Sequence, residues 1–244
     1  MNRISYLVLL IFFMNPLFSK NEEVGIIDEI EGEVTIKPAT IDIIPGAAIT
    51  GRLLYSGDII HSGENGKIQI SLAGSNNKIT LFGLSELQIN KGGSSFQLEL
   101  NYGDLFAQFS NDHINSFTII TQSSQIIQNE GELWITRNFT NDDHVFSILG
   151  DAQISNSSTS TELKIEMGNR VISDLEGFGN KMEITEKMLP SEIFNQYNNN
   201  RYIKEEVAAF TVMNYFSDDS SFTRTLFNEK EKRDPFKFSL EAGA

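Results

Sequence analysis

The sequence predicts an all-β domain with a C-terminal helical extension. Three observations carry that expectation. Apolar residues alternate with polar ones at period two, most clearly in Ile68, Ile70 and Leu72 against Lys67, Gln69 and Ser71. Turn-forming Gly, Asn and Asp pairs punctuate the chain at regular short intervals. Helical spacing of apolar residues begins only after about residue 180. A twisted antiparallel sandwich and a short solenoid-like sheet both fit this pattern.

The organising stretch is Leu54 to Ile89. Leu54, Gly57 and Asp58 open it, Ile59 and Ile60 follow, and a turn at Ser62 to Gly66 leads into the alternating strand. A second turn at Gly74 to Asn77 precedes Ile79 and Leu81, and Ser85 to Ile89 closes the unit. Before it, Val24 to Lys37 reads as a hairpin turned at Glu31 and Gly32. Residues 38–52 hold Pro38, Pro45, Gly46 and Gly51, the composition of a loop or a bent edge strand.

After it, Phe96, Leu98 and Leu100 alternate, Tyr102 to Asp104 reads as a turn, and Leu105 to Phe109 returns. Phe117 to Thr121 and Gln125 to Gln128 are two short strands or one bent strand. Further strands follow around Leu133 to Ile135, His144 to Leu149, Ala152 to Ile154, Leu163 to Met167 and Val171 to Ile172. About a dozen strands result. Gly-Asp recurs at residues 57, 103 and 150, at intervals of 46 and 47 residues. Glycine there supplies a positive φ and aspartate a local acceptor for turn backbone.

Residues 1–19 have the anatomy of a signal peptide: Arg3, an apolar run from Leu7 to Met14, a break at Asn15 and Pro16, and a small residue at Ser19. Retained, the same segment would act as an N-terminal anchor, and membrane association is expected only in that form. Either way the rest of the chain is exported, to the periplasm or beyond. The domain plan is a leader at 1–19, a β-domain at 24–180, a helical extension at 185–216 and a disordered tail at 217–244. In the extension, Ile193, Phe194 and Tyr197 form one short pattern, and Ile203, Val207, Phe210 and Met213 share a helical face. That face either packs on the β-domain or binds a partner.

The formal charge of −14 argues against nucleic acid as a partner. The chain has no cysteine, which excludes disulfides and thiolate metal sites. No nucleophile elbow, phosphate loop, dinucleotide fingerprint or His-Glu-x-x-His motif is present. His61, His113 and His144 are isolated in sequence, and Asp142-Asp143 and Asp218-Asp219 lack calcium-loop spacing and read as solvated turns. The chain is therefore expected to be no enzyme and to need no metal or cofactor. A hydrolase with a carboxylate pair invisible in sequence is the minor alternative. Asn138-Phe139-Thr140 and Asn156-Ser157-Ser158 match the glycosylation pattern.

The residues Gly32-Glu33-Val34, Leu54-Tyr55-Ser56-Gly57-Asp58-Ile59-Ile60, Gly63, Gly66, Ile79-Thr80-Leu81 and Ser85-Glu86-Leu87 together resemble the FecR domain, an extracytoplasmic all-β module of bacterial envelopes. The resemblance runs from Val24 to about Ser173 and continues, more loosely, through Leu98 to Phe106, Phe117 to Thr121, Phe146 to Gly150 and Met167-Gly168-Asn169. Two departures stand out. Gln128 to Trp134 keeps only the glycine and the aromatic of the family's Val-x-Gly-Thr turn, and a leader stands where family members carry an anti-sigma segment and a spanning helix. The resemblance implies an exported, signalling-related β-domain, without direct control of a sigma factor.

The expected activity is binding of another envelope protein through a sheet edge or glycine-rich turn, with backbone hydrogen bonds supplying affinity. Asp58, Glu64, Asn76, Asn77 and Trp134 are the candidate contact residues. A glycan-binding module is the alternative, with Trp134 and Tyr102 as stacking candidates.

Overall fold

The structure is a computed structural model that describes residues 22–39, 44–110, 116–138 and 142–199. Among these, eighteen strands are all but continuous: β1 (Glu23–Glu31), β2 (Val34–Lys37), β3 (Gly46–Ala47), β4 (Leu53–Tyr55), β5 (Ile59–Ser62), β6 (Lys67–Leu72), β7 (Lys78–Leu81), β8 (Ser85–Gly92), β9 (Ser95–Phe109), β10 (Ser116–Ile120), β11 (Ser124–Ile127), β12 (Gly131–Arg137), β13 (Asp143–Leu149), β14 (Ala152–Asn156), β15 (Glu162–Ile165), β16 (Asn169–Asp174), β17 (Gly177–Phe178) and β18 (Met182–Glu183). The all-β expectation holds. The strands form one open mixed sheet, joined through β9 and folded into two layers.

The first layer runs β4-β1-β6-β7-β9-β12-β13-β16, with β17 and β18 on the last strand. The second runs β3-β2-β5-β8-β9-β10-β11-β14-β15. All pairings are antiparallel except β9 with β10. Strand β9 belongs to both layers. Ser95 to Tyr102 pair with β8 in the second, and Gly103 to Phe109 pair with β12 in the first.

One hydrophobic core lies between the layers. Ile27, Ile68, Ile70, Ile79, Leu81, Leu105, Leu133, Ile135 and Val145 come from the first; Ile36, Ile60, Leu87, Ile89, Phe96, Leu98, Phe117, Ile126 and Ile154 come from the second. The period-two alternation is the cause: every second side chain points inward, and burying each large one contributes about 1.5–3 kcal/mol. Phe117 stacks between Phe96 and Phe109, with centroids 5.2 and 5.0 Å away.

Three local expectations are corrected. Glu31-Gly32 is not a hairpin turn, because β1 lies in the first layer and β2 in the second. Tyr102 to Asp104 is not a turn, because β9 continues through it and only bends. The number of strands exceeds a dozen, because many are two to four residues long and carry too little periodicity to be seen. The Gly-Asp pairs share one structural role. Gly57 lies between β4 and β5, Gly103 within β9, and Gly150 between β13 and β14, and at each the chain passes from one layer to the other. Their φ angles are +89°, +94° and +78°.

The chain divides into two compact units after Ile184. In the second, a 3-10 turn at Glu186–Met188 precedes helix α1 at 191–199. Pro190 stands just before the helix, and its carbonyl accepts from Phe194 N–H at 2.9 Å. The rings of Phe194 and Tyr197 lie 5.9 Å apart on this helix. The leader, the apolar face from Ile203 to Met213 and the tail lie outside the described residues. No helix among the described residues is long and apolar enough to cross a membrane.

Candidate functional site

Five of the nine large apolar side chains exposed among the described residues lie on or beside the strands β3 and β4: Ile26, Ile44, Ile49, Leu53 and Tyr55. Ile44 and Ile49 are 84% and 67% exposed, and Leu53 and Tyr55 are each 39% exposed. Ile26 pairs with Leu53 across β1 and β4, and Glu23 pairs with Tyr55. Ile44 and Ile49 flank β3, whose Ala47 pairs with Thr35. The loop back to β4 is fixed by Gly51 N–H donating to Ile27 O at 2.8 Å and Ile27 N–H to Arg52 O at 3.1 Å. Strands β3 and β4 are edge strands of the two layers, so apolar side chains collect where strand pairing ends.

The opposite edge of the second layer differs. Strand β15 carries Glu162 and Lys164 facing water, and Lys164 pairs with Asp151 at 2.8 Å. Charges of this kind guard an edge against pairing, and β3 and β4 carry none.

Asp58 braces β4 from within. It is only 2% exposed, and its carboxylate accepts from Ala39 N–H at 3.0 Å and Tyr55 N–H at 3.1 Å. Its own N–H donates to Tyr55 O at 2.9 Å. Both backbone groups of Tyr55 are thus used internally, and β4 offers apolar side chains more than a free ladder.

The other candidate residues do not converge. Glu64 and Asn76 are exposed but sit beyond opposite ends of β6, a strand of six residues spanning about 20 Å. Asn77 is fully buried, and its Oδ1 accepts from Ser110 N–H at 2.6 Å and Ser110 Oγ at 3.0 Å. Trp134 is 2% exposed; its Nε1 donates to Thr136 Oγ1 at 2.9 Å and its ring meets Phe82 edge-on at 4.9 Å. Such a ring presents no open face for a sugar. Trp134 lies in the outward row Thr80, Phe106, Trp134, Phe146 and Arg170, where Arg170 sits 5.8 Å from the Phe146 ring centroid.

Beside that row, burial pushes the Asp104 carboxyl up, against a hydrogen bond from Thr136 that lowers it. Burial pushes His144 down, and the Arg170 charge adds to this, while Asp142 and Asp143 oppose it. Asp143 is no solvated turn residue. It is fully buried and accepts from Thr121 Oγ1 and Ser123 Oγ, with Arg137 Nε 3.9 Å away. Asn156 is buried too, its amide donating to Ser173 Oγ at 3.0 Å and Asp174 O at 2.7 Å, so it is no accessible glycan acceptor. His113 and Asn138-Phe139-Thr140 are not described as a whole.

One constellation was invisible in the sequence. The register aligns Thr35, His61, Glu86 and Tyr102 in one row on the outer face of the second layer. His61 Nε2 is 2.9 Å from Glu86 Oε2, and His61 Nδ1 is 3.0 Å from Tyr102 Oη. Asn101 Nδ2 donates to the second oxygen, Glu86 Oε1, at 2.8 Å. Burial, and then the Glu86 charge, push the Tyr102 phenol up. Three residues 25 and 16 positions apart carry no local signal. Among the described residues, no three His, Asp or Glu side chains are grouped to hold a metal ion.

No family model and no curated protein matches the chain. Two crystal structures of a "putative anti-sigma factor" from Parabacteroides distasonis are similar to it, at 12% and 11% identity and a TM-score of 0.45 each. Each match covers 51% of this chain and 59% of the other, so the chain spans about three fifths of that protein's length.

Proposed function

We propose that the β-domain is an exported, non-enzymatic binding module that docks another protein of the bacterial envelope, in signal sensing or relay. The observation that carries this reading is the exposed set of Ile26, Ile44, Ile49, Leu53 and Tyr55, on or beside two edge strands that carry no charge. Apolar side chains concentrated at one place mark an interaction surface, whereas scattered ones need no explanation. The resemblance of residues 24–173 to the FecR domain supports the signalling context, and the leader pattern supports export.

Docking here is carried by apolar burial more than by backbone pairing, because Asp58 already occupies the Tyr55 backbone. These apolar side chains fill a pocket on an extended apolar segment of the partner. The test pairs Ile49→Asp with Leu53→Asp in the full chain. Hot-spot truncations cost about 1–2 kcal/mol each, so the double variant loses roughly 30- to 1,000-fold in capture of its partner while its circular dichroism is unchanged. Undiminished capture by a folded double variant sinks the reading.

A further inference from the structure

The outer row of the second layer holds a hydrogen-bond relay whose direction is fixed by chemistry. A carboxylate only accepts, so neutral His61 carries its proton on Nε2 and donates it to Glu86 Oε2 across 2.9 Å. Its Nδ1 then has only a lone pair to offer, and Tyr102 Oη, 3.0 Å away, must be the donor. Asn101 holds the far oxygen of Glu86 and keeps the carboxylate in place.

We propose that His61 is a proton-operated switch of the hydrogen-bonding character of Tyr102. Hydronium gives its proton to His61 Nδ1 and leaves as water. Both ring nitrogens then donate, one to Glu86 and one to Tyr102 Oη. The phenol becomes an acceptor toward His61, and its own hydrogen turns away from the ring to an acceptor elsewhere. Apart from the Nδ1–H bond formed and the O–H bond of hydronium broken, only these hydrogen bonds change. Tyr102 Oη therefore accepts from His61 when the imidazole is charged and donates to it when the imidazole is neutral.

The groups facing His61 are Glu86 on β8 and Tyr102 on β9; the residue facing it on β2 is Thr35, which is uncharged. Arg137 lies near the same strand, its Nη1 donating to Leu100 O at 2.9 Å.

The test is spectroscopic and uses the whole chain. Nitrogen-15 NMR at pH 8 assigns the neutral tautomer of His61, expected as Nε2–H. Ultraviolet resonance Raman at pH 8 and pH 5, taken as wild type minus Tyr102→Phe, isolates this tyrosine. Its 850/830 doublet ratio is expected to rise as the pH falls, as the phenol passes from donor to acceptor at His61, and to stay constant in His61→Gln. A neutral His61 protonated on Nδ1, an unchanged ratio, or a change that survives in His61→Gln overturns the proposal.

Discussion

Gly103 packs directly on Ser85. A Cβ at Gly103 would collide with the Oγ, Cβ and Cα of Ser85, and Asp104 N–H donates to Ser85 Oγ at 2.8 Å. This contact is where β9 leaves one layer for the other. It adjoins the register shift between Glu86 and Leu87, one residue from Tyr102, whose hydroxyl lies 3.0 Å from His61 Nδ1.

Gly103→Ala combines a collision with a φ of +94° and is expected to cost about 3–5 kcal/mol, the range of severe backbone and packing defects. Gly74→Ala separates the two effects. Its φ is +71°, but nothing stands within 4 Å of the added Cβ, so only about 1 kcal/mol is expected. Urea unfolding of both variants checks the difference; equal losses would remove the role assigned to Ser85.

Asp58→Ala leaves the N–H groups of Ala39 and Tyr55 without their acceptor. Hydrogen bonds to a charged acceptor contribute about 1.5–3 kcal/mol apiece. The variant should melt well below the wild type, whereas Glu64→Ala and Asn76→Ala, both exposed, should stay within about 0.5 kcal/mol. A neutral Asp58→Ala would mean β4 is not held by this carboxylate.

Trp134 is the single tryptophan, so its fluorescence reports one site. Burial predicts blue-shifted emission, resistance to iodide quenching and no response to cell-wall fragments. Trp134→Ala should cost about 3–5 kcal/mol, as large aromatic truncations do. Quenching by wall fragments in the folded protein would restore the glycan-binding alternative.

His144 is held down by burial and by Arg170. Its folded value lies below its unfolded one, so the unfolded chain binds more protons around and below pH 6.5. The stability it contributes is present above that value and is lost as the pH falls through the depressed folded value. Urea midpoints of wild type and His144→Gln, measured from pH 8 to pH 5, should diverge, with the wild type falling more steeply. Parallel curves would contradict the assignment.

Much of this architecture was legible in the chain because strand periodicity is local. The inward residues Ile68, Ile70 and Leu72, the positive φ of Gly57, Gly103 and Gly150, and the helix after Pro190 all follow from short-range pattern. Layer assignment was not legible, because alternation marks a face as buried without saying which layer it belongs to. That is why Gly32 reads as a hairpin and Gly103 as a turn.

The site was less legible still. Asp58 and Asn77 are polar residues in turns, and sequence alone does not separate a turn residue that faces water from one that caps backbone inside. Trp134 is covered although its neighbours Leu133 and Ile135 fill the core from the other face, so β12 is buried on both sides and its pattern is uninformative. The exposed set comes from β1, β4 and the segments flanking β3, and only the register shows Ile26 beside Leu53.

The central claim is tested most directly by photocrosslinking in living cells, with the reactive group placed at Leu53 in one strain and at Lys164 in another. Leu53 lies on the uncharged edge strand β4 and Lys164 on the charged edge. The account predicts a discrete adduct with one envelope protein from position 53, absent from position 164 and lost when Ile49 is changed to Asp. Equal labelling from both positions, or none from position 53, would contradict it.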